Sequence, residues 1–261
     1  MSDTDSETTD SNAPRVAIVG GGVAGLMAAT FTARAGFDTV VVNHGESILR
    51  RNGHLENVPG FPGGVNSRLF LDLLETQAGR NGAVFEDGRV TTVATTDGGF
   101  QLRIEAGDGE HDLQSAYVLA TSWADTDYLD GLDVGLTKRG SKTYVDIDDY
   151  GRTGVDGLYA AGRIAEKPHQ AIVSAGHGAE VALTLIDDSD VPFYHDWVAP
   201  EGYFTERGRD VPPGVEEIDE EERRRRERES MKVMTEAFER HHPDEPTMHP
   251  SVVEKRRESN E

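Results

Sequence analysis

Cysteine is absent from this chain of 261 residues. That excludes disulfides, thiolate metal sites and any dithiol chemistry carried by the chain itself. Positive charge is also scarce. Lysine occurs only at Lys138, Lys142, Lys167, Lys232 and Lys255, and Lys plus Arg total 26 against 48 Asp plus Glu, for a net charge of −22. So negative a surface argues against nucleic acid as a partner, because phosphate contacts are made by Lys and Arg. It fits a cationic partner or, preferably, halophilic adaptation, in which molar salt with a Debye length of about 3 Å screens the self-repulsion. No run of 18 apolar residues occurs, so no membrane span is expected. The opening MSDTDSETTDSNAP lacks the apolar core of a signal peptide. Residues 1–14 are expected to form a disordered acidic tail, and the chain to be cytoplasmic.

One dense stretch stands against these absences: residues 15–43, RVAIVGGGVAGLMAATFTARAGFDTVVVN. An apolar strand, Val16 to Val19, runs into Gly20-Gly21-Gly22-Val23-Ala24-Gly25. A small-residue helix follows, then a second strand, Thr39 to Val42. This order predicts a βαβ unit with a dinucleotide pyrophosphate site at its first turn. Gly20 permits the tight turn, Gly22 lets the backbone approach the phosphates, and Gly25 lets the helix sit close on the sheet. The helix N-terminus offers N–H groups and partial positive charge to the anion. By itself the fingerprint leaves NAD and FAD open.

Downstream, His44 to Asn66 is a loop rich in Gly and Pro, of the kind that lies over a ligand. Asn66 or Ser67 is expected to cap a helix, Arg68 to Arg80, whose apolar face is Leu69, Phe70, Leu73, Leu74 and Ala78. Val84-Phe85 starts a third strand. Val90 to Thr95 and Phe100 to Ala106, joined at Asp97-Gly98-Gly99 and followed by the turn Gly107-Asp108-Gly109, predict an antiparallel β-meander. Tyr117 to Ala120 reads as a buried strand, Thr143 to Ile147 as an exposed one, and Leu158 to Ala161 as an apolar strand ending in Gly162. Gln170 to Ile186 reads as a small-residue helix. A C-terminal extension, 190–261, carries an aromatic cluster (Phe193, Tyr194, Trp197) expected to pack back on the domain. A charged helix in Glu216 to Glu229 follows, in which residues 219–222 each precede an Arg by four positions. Met231, Met234 and Phe238 form an apolar stripe that either docks on its own chain or makes an oligomer contact, and disorder is expected from His241.

In this order the pieces resemble the FAD half of the thioredoxin-reductase-like flavoproteins, over Arg15 to Asp187. Four segments carry the resemblance. They are the glycine fingerprint; Glu56-Asn57-Val58-Pro59-Gly60, similar to the family's ENxPG; Leu119-Ala120-Thr121-Ser122, similar to ATG; and Gly157 to Arg163 with His169-Gln170-Ala171, similar to GxxAAGD and RQA. The resemblance implies an α/β, Rossmann-like FAD/NAD(P)-binding fold over 15–189, with a central parallel sheet and an added antiparallel β-meander, followed by the C-terminal helical extension. It implies FAD as cofactor. Gly20, Gly22, Val23, Ala24 and Gly25 would hold the pyrophosphate, and Asn43 would meet the adenosine ribose. Arg89 and Val90 would flank the adenine, Ala120 and Thr121 line the pyrophosphate cleft, and Asn57 face the flavin side. Gln170 and Ala171 would open a helix aimed at the flavin N1–C2=O edge, stabilising the anionic reduced flavin.

The departures matter equally. About 30 residues stand where the family inserts an NADPH-binding domain, no second GxGxxG occurs, and the CxxC of that domain is missing. Ser122 replaces a glycine. At Gly162-Arg163 the arginine replaces the aspartate that would bond the ribityl chain. It cannot accept hydrogen bonds, so it neutralises the pyrophosphate, excludes FAD, or points outward. The leading expectation is an FAD oxidoreductase that passes electrons or hydride to or from an external donor or acceptor, protein or nicotinamide, and is not a self-sufficient thioredoxin reductase. A non-catalytic FAD-fold scaffold or sensor that binds a protein partner is the alternative, and a nicotinamide-binding protein a third. No metal site is expected and no catalytic pair is evident. His169, beside the expected flavin edge, is the best single candidate among His54, His169 and His177, and a homodimer stays open.

Overall fold

The computed structural model describes residues 13–107 and 109–259. All but the end of the acidic tail expected at 1–14, and Asp108 of the expected 107–109 turn, lie outside them. The elements run β1 (Arg15–Val19), α1 (Val23–Arg34), β2 (Asp38–Asn43), α2 (Ser67–Arg80), β3 (Val84–Asp87), β4 (Arg89–Thr96), β5 (Gly99–Ala106), β6 (Gly109–Ser115), β7 (Tyr117–Ala120), β8 (Leu136–Arg139), β9 (Lys142–Val145), β10 (Leu158–Ala160), α3 (Ala171–Asp188), β11 (Trp197–Pro200), β12 (Val215–Ile218), α4 (Glu220–Phe238) and α5 (Pro250–Glu258). They gather into two compact units. The first comprises 13–45 and 78–191, and the second 46–77 and 192–259. Segment 46–77, interior to the first half of the sequence, thus clusters with the C-terminal part of the chain.

The first unit is the α/β fold. Its parallel sheet has the order β10-β7-β1-β2-β3. Because side chains alternate along a strand, each central strand feeds two layers. Ala17, Val19, Val40, Val42, Val118, Ala120, Leu158 and Ala160 enter one core with Val90, Val93, Phe100, Leu102 and Ile104 of the antiparallel meander β4-β5-β6. The intervening residues face the helices. Thr39 of β2 donates to Thr32 of α1 at 2.9 Å, and the Tyr159 hydroxyl of β10 donates to Asp188 of α3 at 3.0 Å. The strand expected at Thr143 to Ile147 forms instead as β9, paired antiparallel with β8. It is not exposed at its centre: Tyr144 and Val145 are buried. Sequence alternation missed this because β9 closes over the core beside Ile164 and Leu129 rather than facing water.

In the second unit Asn66 is the cap of α2, its Oδ1 accepting the N–H groups of Arg68 (2.9 Å) and Leu69 (3.3 Å), while Ser67 donates to the Asn52 carbonyl. β11 and β12 pair in parallel, and the Trp197 ring meets those of Tyr203 and Phe204 edge-on at 4.6 and 5.9 Å. Phe193 lies against Gly214, whereas Tyr194 is exposed. The charged segment and the apolar stripe form one helix, α4, capped by Asp219, which accepts the Glu222 N–H at 2.7 Å. The expected i,i+4 pairs form at Glu220–Arg224 and Glu222–Arg226, while Arg225 turns to Glu222. Within the end expected to be disordered from His241, the chain forms α5, with Pro250 opening it and a basic last turn. Among the described residues no helix is long and apolar enough to cross a membrane.

Candidate cofactor site

The chain leaves β1 for β2 on one side of the sheet, while β7 joins β1 from the other. Sheets of this kind bind ligands at such a reversal, outside the carboxyl ends of the strands. The fingerprint follows β1 at this edge, and Thr121 follows β7. Gly20 has φ +115°, a conformation that L side chains rarely adopt, and its N–H donates to Val42 O at 2.8 Å. A Cβ on Gly25 would lie 2.0 Å from Gly20 O and 2.7 Å from Thr121 Oγ1. The turn and α1 are therefore in backbone contact. The Thr121 hydroxyl braces the turn from the side, donating to Gly20 O (2.8 Å) and Val19 O (3.0 Å). Asn43, at the end of β2, accepts the Gly21 N–H at 2.8 Å and donates to Gly45 O at 2.9 Å, so its amide ties the turn to the next loop. No side chain caps α1, whose first turn contains no acidic residue. Its N-terminal N–H groups suit an anion.

The end of β10 adds a second set. Gly162 (φ +77°) packs against Ala24, and its N–H donates to Nδ1 of His177 in α3 at 2.9 Å. Burial, with Lys167 nearby, pushes the His177 pKa down to about 4, so the ring is neutral. A Cβ on Gly178 would lie 2.1 Å from Ala24 O, so α1 and α3 also meet backbone to backbone. Arg163 is half-buried and held in place. It donates to Lys167 O (3.0 Å) and to the Tyr144 hydroxyl (2.5 Å), with its guanidinium carbon 5.0 Å from the Tyr144 ring centre and 5.9 Å from that of Trp123. Trp123 meets His169 edge-on at 4.5 Å. Partial burial and then the Arg163 charge lower the His169 pKa, which favours a neutral imidazole. Gln170 occupies the N-cap position of α3 without capping it by its side chain, and the first turn of α3, from Ala171, is free of acid.

The first unit thus brings together the fingerprint, Asn43, Ala120, Thr121, Gly162, Arg163, His169, Gln170 and Ala171. Val90 is buried in the meander core, and Arg89 pairs with Asp125 at 3.3 Å. Asn57 belongs to the second unit. Trp123 and Tyr144 were not singled out from sequence. Trp123 sits one residue past the LATS strand, a usable signal, but nothing in the sequence links Tyr144 to Arg163.

Residues 15–53 match the FAD binding domain family. Thioredoxin reductase of Aquifex aeolicus (strain VF5) is 40% identical over 77 residues, 29% of this chain and 24% of that protein. That of Treponema pallidum (strain Nichols) is 35% identical over 109 residues, 41% of this chain and 34% of that protein. This chain is thioredoxin-reductase-like, and its cofactor is FAD. It spans about a third or less of the length of these curated relatives. Among solved structures, a thioredoxin reductase from Gloeobacter violaceus superposes with a TM-score of 0.60 at 16% identity, covering 70% of this chain and 99% of that one. The atypical thioredoxin reductase TRi from Desulfovibrio vulgaris Hildenborough gives 0.55 at 18%, covering 69% and 99%. At those identities the likeness establishes the Rossmann-like fold. The residues present fit FAD at its phosphate end: an added Cβ at Gly20, Gly21 or Gly25 would lie 3.0 Å or less from a neighbouring atom, and α1 and α3 both open without an acidic or capping side chain.

Proposed function

We propose that this thioredoxin-reductase-like chain is an FAD oxidoreductase whose electron donor and acceptor are separate molecules. One observation carries the reading. The first turn of α1 opens uncapped directly after the Gly20–Gly22 turn, at the ligand-binding end of the sheet, and α3, which meets Ala24 backbone to backbone at Gly178 in its second turn, also opens uncapped. Bound FAD supplies two-electron chemistry that protein side chains lack. The chain binds and orients it. The amides of Gly22, Val23, Ala24 and Gly25 take the pyrophosphate, Asn43 the ribose region, Ala120 and Thr121 the cleft wall, and Arg89 and Val90 the adenine. Gly162 with Arg163 and Gln170 with Ala171 serve the flavin half. The Arg163 guanidinium neutralises phosphate charge with the N–H donors that Tyr144 and Lys167 leave over. His169, whose pKa is lowered by partial burial and then by the Arg163 charge, is the side chain that would exchange a proton there.

Dependence on an outside reductant rests on the short link between Thr121 and Leu158, which holds no second fingerprint, and on the absence of cysteine. The deciding measurement is an absorption spectrum of protein purified in molar salt and incubated with FAD. Stoichiometric flavin, reducible by an added donor and turned over by an added acceptor, is expected. A protein that takes up no flavin sinks the reading, and tight NADH binding without flavin would favour a nicotinamide protein. The Arg163–Tyr144–Trp123 packing supports a second reading, an FAD-dependent scaffold, in which flavin binds and is reduced but no acceptor turns over.

A further inference from the structure

We propose that the C-terminal segment 238–244 positions the 55–65 loop, holding it in a single conformation. The loop is closed on itself within the second unit. Leu55 and Val65 exchange both backbone hydrogen bonds at 2.9 Å, and the Gly64 N–H donates to Phe61 O at 2.9 Å. Gly64 leaves no space for a side chain, since a Cβ would lie 2.4 Å from His54 Cε1. Short compact loops of this type depend on packing by their own and neighbouring side chains for a single conformation.

The packing comes from both sides of the sequence. Phe61 meets Phe70 of α2 edge-on at 6.0 Å and Phe238, the last residue of α4, at 6.1 Å. Four residues later His242, with a side chain only 7% exposed, places Nε2 2.8 Å from Asp72 of α2. The other Asp72 oxygen accepts from Arg50 at 2.7 Å, and Asp244 stands 3.8 Å from Arg50. Buried Arg68 then holds the carbonyls of Arg50 (3.1 Å) and Asn52 (2.8 Å). Segment 238–244 therefore reaches the loop itself at Phe61, the chain before it at Arg50 and the helix after it at Asp72. The two sides of the closed loop are tied to one short piece of chain that lies outside every motif of the family resemblance.

The test compares the full-length protein with Phe238→Ala, His242→Asn and, as the conservative restoration, Phe238→Tyr. Met231→Ser is the control on the same helix, at a position 71% exposed. Hydrogen exchange is read at the amides of Leu55, Phe61, Gly64 and Val65. Phe238→Ala and His242→Asn are each expected to speed it by up to about tenfold, the range an aromatic pair or a partly buried charged hydrogen bond supplies. Phe238→Tyr should restore it, and Met231→Ser should leave it unchanged. Unchanged exchange at 55–65 in both variants overturns the proposal.

Discussion

Nδ1 of His177 accepts the backbone N–H of Gly162 at 2.9 Å, joining the second turn of α3 to the glycine that ends β10. The neutral ring must then carry its proton on Nε2, which is buried without a partner among the described residues. Protonating Nδ1 would break the bond and bury a charge.

The bond predicts acid sensitivity. With the folded pKa near 4 and an ordinary value of 6.5, the unfolded chain binds a proton between those limits that the folded chain does not. Stability is therefore unaffected above pH 6.5, falls as pH drops through 6.5 towards 4, and levels off below. The loss is on the order of 3 kcal/mol. Urea midpoints measured at constant salt for wild type and His177→Asn should converge as pH falls. A constant difference between the two would refute the assignment.

Three glycines should respond differently to alanine. Gly25→Ala sets a methyl group 2.0 Å from Gly20 O, and Gly178→Ala sets one 2.1 Å from Ala24 O. Each should destabilise by about 1–3 kcal/mol or more and abolish flavin uptake. Gly176, also in α3, has nothing within 4 Å of an added Cβ, so Gly176→Ala should stabilise by about 0.5–1 kcal/mol. Thermal melts of the three variants would check the ordering.

Arg163→Ala should weaken FAD binding by about tenfold or more, the value of a charge-assisted hydrogen bond, and should shift Trp123 emission because the cation over that ring is lost. Titration followed at Trp123 in a Trp197→Phe background reads both. Unchanged affinity with shifted emission would mean that the guanidinium serves only Tyr144 and Trp123.

The Arg225 and Arg226 guanidiniums hold the Glu222 carboxyl well below its ordinary range, yet all three groups keep contact with water. Glu222→Gln should lower stability slightly at low salt and not measurably in molar salt. The whole protein, at net charge −22, should instead melt higher as salt is added. A melting temperature that falls with salt would count against the halophilic reading.

The βαβ unit was legible because its signals are local: a strand, three glycines at fixed spacing, then small residues. The meander was legible from alternation and turn residues. Tyr144 was not, because alternation cannot tell a strand facing water from one that closes over a core. The bracing by Thr121 and the joining bond from Gly162 to His177 were equally hidden, since both link residues distant in sequence through backbone groups that every residue possesses. The sequence does flag Arg163 as a departure from the family it resembles, but only the fold places Tyr144 and Trp123 around it.

The contacts of Phe238, His242 and Asp244 with residues 50–72 carry a lesson for inheritance and for engineering. A gene cut after Asp188 would not simply shed an appendage. It would leave Phe61, Asp72 and Arg50 facing water, in a stretch that codes for part of another folded body. Natural variation at these paired positions should therefore travel together, and a working chimera must exchange both stretches at once.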